Sequence, residues 1–289
     1  MTRGARLALA VLLALASACA HRPERAGDPG QSRRGTVADS VTVGLWNMNE
    51  TGGTRVADAG PFRLDGLAGP DTRTDFGRDR NARLFTRSLN SFVWVPWNPV
   101  LDLPGPLTIE AWIFPGAYGN YEDTPIAARW TPLANEQSWL FTVLGRRVPF
   151  DPTDVGPEYH HDLVRGAGRG QLMFAYQPED AGPARSFYSS RAILLERWTH
   201  VAVTFDGEVV RFYVDGLLDS QYAAIGRIRR SEAPLLVGNF FDPRGLTDFG
   251  GDLRAGPALG TRPWYAFEGF IDELRISNAA RRSFESLRR

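Results

Sequence analysis

The chain has 289 residues, with 33 arginines, no lysine, 33 acidic side chains and a single cysteine. Zero formal charge excludes the basic surplus that nucleic-acid binding requires, and one cysteine excludes both an intramolecular disulfide and a cysteine-built zinc site. At 43% hydrophobic and 23% charged residues, the composition is globular and not that of a disordered or coiled-coil chain.

Residues 1–18 read as an export signal. Arg3 and Arg6 precede an apolar run from Leu7 to Leu15, shorter than the ~20 residues that span a bilayer. Small residues Ala16-Ser17-Ala18 then lead directly to Cys19. This arrangement resembles the lipobox of bacterial lipoproteins. The resemblance implies cleavage after Ala18, acylation of Cys19 and a cell-envelope location. Ala20, where an aspartate would retain the protein elsewhere, implies the outer membrane. The competing reading is an ordinary secretory signal with a chance cysteine. Cleavage removes Arg3 and Arg6, leaving 31 basic against 33 acidic groups, so membrane contact is expected through lipid alone. Residues 19–38, rich in Gly, Pro, Arg and Gln, read as a flexible tether, and 39–289 as one domain.

Along that domain, short apolar or alternating runs are broken by Gly, Pro, Asn and Asp. Strands are expected at Val41–Asn47, Ala82–Phe85, Phe92–Val95, Leu107–Phe114, Ile126–Trp130, Trp139–Leu144 and Gln171–Tyr176. Further strands are expected at Arg185–Ser189, Trp198–Phe205, Val209–Val214, Pro234–Val237 and Ala266–Ile276. Asp206-Gly207 and Asp215-Gly216 read as two-residue hairpin turns with both central residues at positive φ. One short helix is expected at Ala279–Leu287, with Phe284 packing back on the domain. Many short strands without a helical repeat predict an all-β fold of two stacked antiparallel sheets.

Five segments, in order, resemble one family. Leu103-Pro-Gly-Pro-Leu-Thr-Ile-Glu-Ala-Trp-Ile-Phe-Pro115, the hairpin Trp198–Gly216, Pro234-Leu-Leu-Val-Gly-Asn239 and Phe267-Glu-Gly-Phe-Ile-Asp-Glu-Leu-Arg-Ile276 are similar to laminin-G-like, concanavalin A-like jelly rolls. Val43–Glu50 with Asp58 fits the opening segment. The resemblance implies a jelly-roll sandwich that binds rather than catalyses. It also makes Trp46, Trp112 and Trp198 core residues and His200 a packed, hydrogen-bonded structural residue. In this wider fold the aspartate of the closing strand often joins carbonyls from the first strand around a structural Ca²⁺. That points to Asp272, with Glu50 in support and the loop Asn49–Gly52 supplying carbonyls. The alternative is that Asp272 bonds a neighbouring backbone group.

Catalytic patterns are missing. Retaining glycosidases need two carboxylates ~5–5.5 Å apart, and Glu268, Asp272 and Glu273 have the wrong spacing for one strand face. Arg230-Ser231-Glu232 falls short of a lyase motif, and Gly166, Gly168 and Gly170 lead into a strand rather than a phosphate-binding helix. His160-His161, as adjacent residues, would point to opposite faces of a strand. Two long insertions, Arg146–Arg169 and Phe240–Tyr265, hold too many aromatics for linkers. They read either as ligand-facing loops or as ordered caps. Candidate ligand residues are Trp94, Trp97, Tyr159, Asp242, Arg244, Asp248, Asp252 and Trp264. Phe92 and Trp94 share one strand face and Val93 and Val95 the other, so Trp94 and Trp97 form either a stacking platform or a surface covered by an insertion. The expected function is a lipid-anchored envelope protein whose domain binds a glycan or an extracellular protein. The alternatives are a polysaccharide hydrolase or lyase, and a structural envelope component.

Overall fold

Strand Leu107–Pro115 shows how the chain is sorted into layers. Leu107, Ile109, Ala111 and Ile113 enter the main core, while Thr108, Glu110, Trp112 and Phe114 alternate onto the other face. The computed structural model describes residues 35–78, 80–119, 123–131, 136–145, 169–241, 243–249, 252–255 and 266–284. In chain order the strands begin with β1 (Thr42–Trp46), β2 (Arg55–Val56), β3 (Gly66–Ala68), β4 (Arg73–Phe76), β5 (Asn81–Phe85) and β6 (Val93–Val95). There follow β7 (Leu107–Pro115), β8 (Thr124–Trp130), β9 (Gln137–Val143), β10 (Gln171–Tyr176), β11 (Arg185–Ala192) and β12 (Thr199–Phe205). The last are β13 (Val209–Val214), β14 (Leu217–Ala223), β15 (Leu235–Val237), β16 (Leu246–Phe249), β17 (Asp252–Ala255) and β18 (Gly269–Ser277).

Two antiparallel sheets of eight strands face each other. The first runs β14-β13-β12-β7-β18-β5-β4, with β1 also on β18; the second runs β11-β10-β9-β8-β15-β6-β3-β2. Between them lie Ile109, Val201, Phe205 and Phe212 from one side, and Trp139, Phe141, Phe174 and Val237 from the other. Burying each such side chain stabilises the fold by about 1.5–3 kcal/mol. The expected two-sheet jelly roll is what the chain forms. The separate hairpin β16–β17 comes from the second insertion.

Three local features shape the ends and outer faces of the sandwich. Asp58, buried in the opening segment, accepts from the amides of Leu45, Gly60 and Leu64, which fixes the loop after β1. Glu273 forms a bulge in β18 with φ 49°, shifting register between Asp272 and Arg275. Strict alternation from Phe270 would turn Leu274 and Ile276 outward. The extra residue returns both to the core and leaves Arg275 on the outer face. At the free side of the sandwich, Asp219 on β14 accepts from the amides of Ser190 and Arg191 on β11. The Tyr188 carbonyl accepts from Ser220 and Tyr222.

Two sequence expectations need correction. Among the described residues, Ala279–Phe284 form no helix: Thr108 Oγ1 donates to the Ala279 carbonyl and accepts the Arg281 amide, which ties this segment to β7. Phe284 nevertheless packs back, against His200 and Tyr213. The Asp215-Gly216 turn has both residues at positive φ, 51° and 76°, as expected. In the first hairpin only Gly207 does, because Asp206 turns its carboxylate onto the amides of Glu208 and Val209.

Candidate functional site

On the outer face of the first sheet, register aligns Leu84 with Phe270 and Phe270 with Phe114. Trp198, just before β12, completes the row. The ring centroids of Phe114, Trp198 and Phe270 lie 5.7–6.0 Å apart in tilted and edge-on pairs, and all three side chains are half-buried. Trp198 is therefore not a core residue as expected; it precedes a strand residue, Thr199, paired with inward-facing Ile113, so it falls on the other face. Trp46 and Trp112 are buried.

Beside the row the strand ends part. β18 starts at Gly269, where a side chain would collide with the Phe114 carbonyl at 2.1 Å, and β7 runs out into Gly116. The result is a shallow cavity of about 280 Å³ lined by Leu84, Phe114 and Phe270 on its apolar side and by Arg87, Gly116 and Glu268 at its rim. Arg87 Nη2 lies 3.1 Å from Glu268 and donates to the Tyr118 carbonyl. Arg87 Nε is buried with no hydrogen-bond partner among the described residues. At the far end of the row, Arg197 pairs with Asp215 at 3.3 Å. The surface thus presents three aromatic rings between two balanced ion pairs.

The remaining polar groups of this face are sealed. Arg275 Nε donates to Glu110 at 2.7 Å, and His200 Nε2 lies 3.1 Å from the same carboxylate, which confirms His200 as a packed structural residue. Burial pushes Glu110 up, but the hydrogen bond from His200 and the charge of Arg275 outweigh it and hold the carboxyl below its ordinary value. Thr36 donates its amide and hydroxyl to Glu273, and the Val37 carbonyl accepts from Arg275, so the chain before β1 lies across this network. Asp272 accepts the Arg78 amide; burial, with Glu273 adding negative charge, raises its carboxyl to about 8. Glu110, Asp272 and Glu273 are each at most 3% exposed, so no substrate reaches them.

Glu50 and the carbonyls of Asn49 and Glu50, expected near calcium, have protein partners. Glu50 accepts from the Ala57 amide and faces Arg83, while the Asn49 and Glu50 carbonyls accept from Asn81. Positive charge near Asp272 comes from Arg78, whose guanidinium lies 3.7 Å over the Trp112 ring and 3.6 Å from Glu273. Among the described residues, no three His, Cys, Asp or Glu side chains converge as metal ligands. Asp272 Oδ2 accepts a backbone amide, while its Oδ1 is buried with no hydrogen-bond partner among the described residues.

The other expected site residues lie elsewhere. Trp94 is half-buried on the second sheet, packed with Phe92, Leu236 and Phe241, and the β16–β17 hairpin sets Leu246, Leu253 and Ala255 on the same cluster. The second insertion is, in this part, a cap. Trp97 is 39% exposed, Arg244 and Asp248 are exposed near and on the hairpin, and Asp252 opens β17. Cys19, Tyr159, His160, His161, Asp242 and Trp264 lie outside the described residues. Phe114, Phe270 and Arg87 were not among the expected site residues, and Glu268 was weighed only as a catalytic carboxylate. The signal was available for the two phenylalanines, since alternation in β7 and β18 puts an aromatic residue on each outer face.

A sequence profile of the concanavalin A-like lectin/glucanases superfamily, of laminin G type, matches residues 90–256. No curated protein matches the chain in sequence. Among solved structures, the binding domain of Paraclostridial Mosquitocidal Protein 1 is similar at TM-score 0.56 and 13% identity, over 86% of this chain and 51% of its own. The botulinum neurotoxin serotype G binding domain gives 0.55 and 12%, over 85% and 50%. Domain 4 of AbnA, a GH43 extracellular arabinanase from Geobacillus stearothermophilus in complex with arabinotriose, gives 0.53 and 16%, over 86% and 96%. The chain spans about half the length of the two toxin domains. Likeness at these identities establishes the fold, and the profile covers more than half of the chain: the protein belongs to the concanavalin A-like lectin/glucanases superfamily.

Proposed function

We propose that the protein is a non-catalytic binding protein of the bacterial cell envelope, lipid-anchored through Cys19 to the outer membrane, and that its domain recognises a glycan. The observation that carries this reading is the row Phe114, Phe270 and Trp198 between two ion pairs. Aromatic faces stack on the C–H face of a sugar ring, and the flanking pairs supply donors and acceptors for hydroxyls. Sealing of Glu110, Asp272 and Glu273 supports binding without hydrolysis. The arabinotriose complex of a fold neighbour points the same way.

A glycan array probed with the detergent-solubilised full chain tests this. Binding to at least one glycan class is expected, weakened about tenfold by Trp198→Ala at unchanged melting temperature. An empty array overturns the reading, and so does a hit that Trp198→Ala and Phe270→Ala both leave intact. Cleavage of a bound glycan would replace it with the hydrolase or lyase alternative. For the anchor, Cys19→Ser is expected to move the protein out of the membrane fraction; retention there refutes lipidation.

A further inference from the structure

The cavity beside the row differs from the row itself in shape and in chemistry. Its volume of about 280 Å³ lies just under the ~300–1,000 Å³ of pockets that hold drug-sized ligands, which suits one ring and not a chain. Its floor is apolar, from Leu84, Phe114 and Phe270. Its rim carries one cation and one anion in contact, Arg87 and Glu268 at 3.1 Å. A guanidinium offers five N–H donors and a carboxylate only acceptors. The pair therefore complements two neighbouring hydroxyls, each of which can both donate and accept. A carboxylated sugar would have to displace Glu268 from Arg87, and an amino sugar Arg87 from Glu268, so the contacting pair favours neither charge.

We propose that this cavity holds a single neutral sugar ring, the exposed end of a glycan chain, seated on Phe270 and Phe114 with two adjacent hydroxyls on Arg87 and Glu268. The next ring of the chain then lies toward Trp198. This rests on the glycan-binding reading and assigns its ligand class and polarity.

Gly116 provides the sharpest test. A Cβ built there meets only Glu268, at 3.6–4.0 Å, which is ordinary contact, so a side chain at 116 enters the cavity mouth without disturbing the fold. Protein-observed NMR titration of the full chain would use methyl galactoside and arabinotriose beside galacturonate and galactosamine. Saturable shifts are expected with at least one neutral probe and with neither charged one. Gly116→Leu should abolish them, and Glu268→Gln weaken them tenfold or more, with melting temperatures unchanged. Equal or better binding of a charged probe overturns the proposal. So does retention of neutral-sugar binding by both variants, or an array hit insensitive to both while Trp198→Ala abolishes it. In those cases the glycan-binding reading stands, whereas it falls with this proposal if the array is empty.

Discussion

Glu110 on β7 and Arg275 on β18 are register partners, and their side chains meet at 2.7 Å with both groups essentially inaccessible to solvent. The bulge at Glu273 makes the meeting possible, because it turns Arg275 outward to where Glu110 already points. Two sheet-forming strands are thereby tied by charge on one face and by Ile109 and Ile276 on the other.

Removing one member of such a pair leaves an uncompensated buried charge, at a cost of about 3–5 kcal/mol. Glu110→Ala and Arg275→Ala should each lower the melting temperature by roughly 6–20 °C for a domain of this size. The double variant should lose much less than the sum of the two. Thermal denaturation of the three variants checks this, and additive losses would show the side chains to be uncoupled.

The same pair sets an acid limit. Glu110 titrates below its ordinary 4.5 in the folded chain, so its contribution is complete above that value and is lost as pH falls through the lower folded pKa. Asp39 is also held low, by its hydrogen bond from Arg281, but it is exposed and contributes less. Melting temperature should therefore fall below about pH 4.5, and more gently in Glu110→Gln, which has no carboxylate to protonate. Equal acid slopes in the two proteins would exclude Glu110 as a source of the limit.

Thr36 and Val37 belong to the fold although the composition of 19–38 reads as tether. A chain starting at Ser40 loses the two bonds from Thr36 to Glu273, the Val37 carbonyl on Arg275 and the Asp39–Arg281 pair. With hydrogen bonds to charged groups contributing about 1.5–3 kcal/mol, it should be about 3 kcal/mol less stable in urea than one starting at Gly35. Identical midpoints would return these residues to the tether.

Arg78 predicts the response to chelation. A calcium ion bound at 100 times its Kd would stabilise the fold by about 2.7 kcal/mol, and EDTA would then lower the melting temperature by several degrees. With Arg78 as the cation beside Asp272 and Glu273, EDTA should leave it unchanged. A clear drop would put a metal at Asp272 after all.

How much of the fold and the site was legible depends on the period of each segment. In β7, β12 and β13 strict alternation places every side chain, and the expected bounds agree with the structure to within a residue or two. β18 defeats the same reading, because one residue in the left-handed region reverses the phase halfway along it. The site needed more than alternation: Arg87 and Glu268 are 181 positions apart, and only register across β5, β18 and β7 brings them together. Short strands such as β2 and β3 carry too few residues to show a period. Over Ala279–Phe284 the expected terminal helix is absent although Ala and Arg are strong helix formers, because the bonds to Thr108 and the packing of Phe284 on His200 and Tyr213 hold this segment against the sheet.

Asp219 has a consequence beyond joining two strands. β11 is the last strand of its sheet, and its outward amides at Ser190 and Arg191 would otherwise be open to a strand from another molecule. One carboxylate occupies both, and Ser220 and Tyr222 occupy the carbonyl of Tyr188. At these positions the border of the sheet offers no free groups to a strand from another copy, which guards this part of the edge against aggregation.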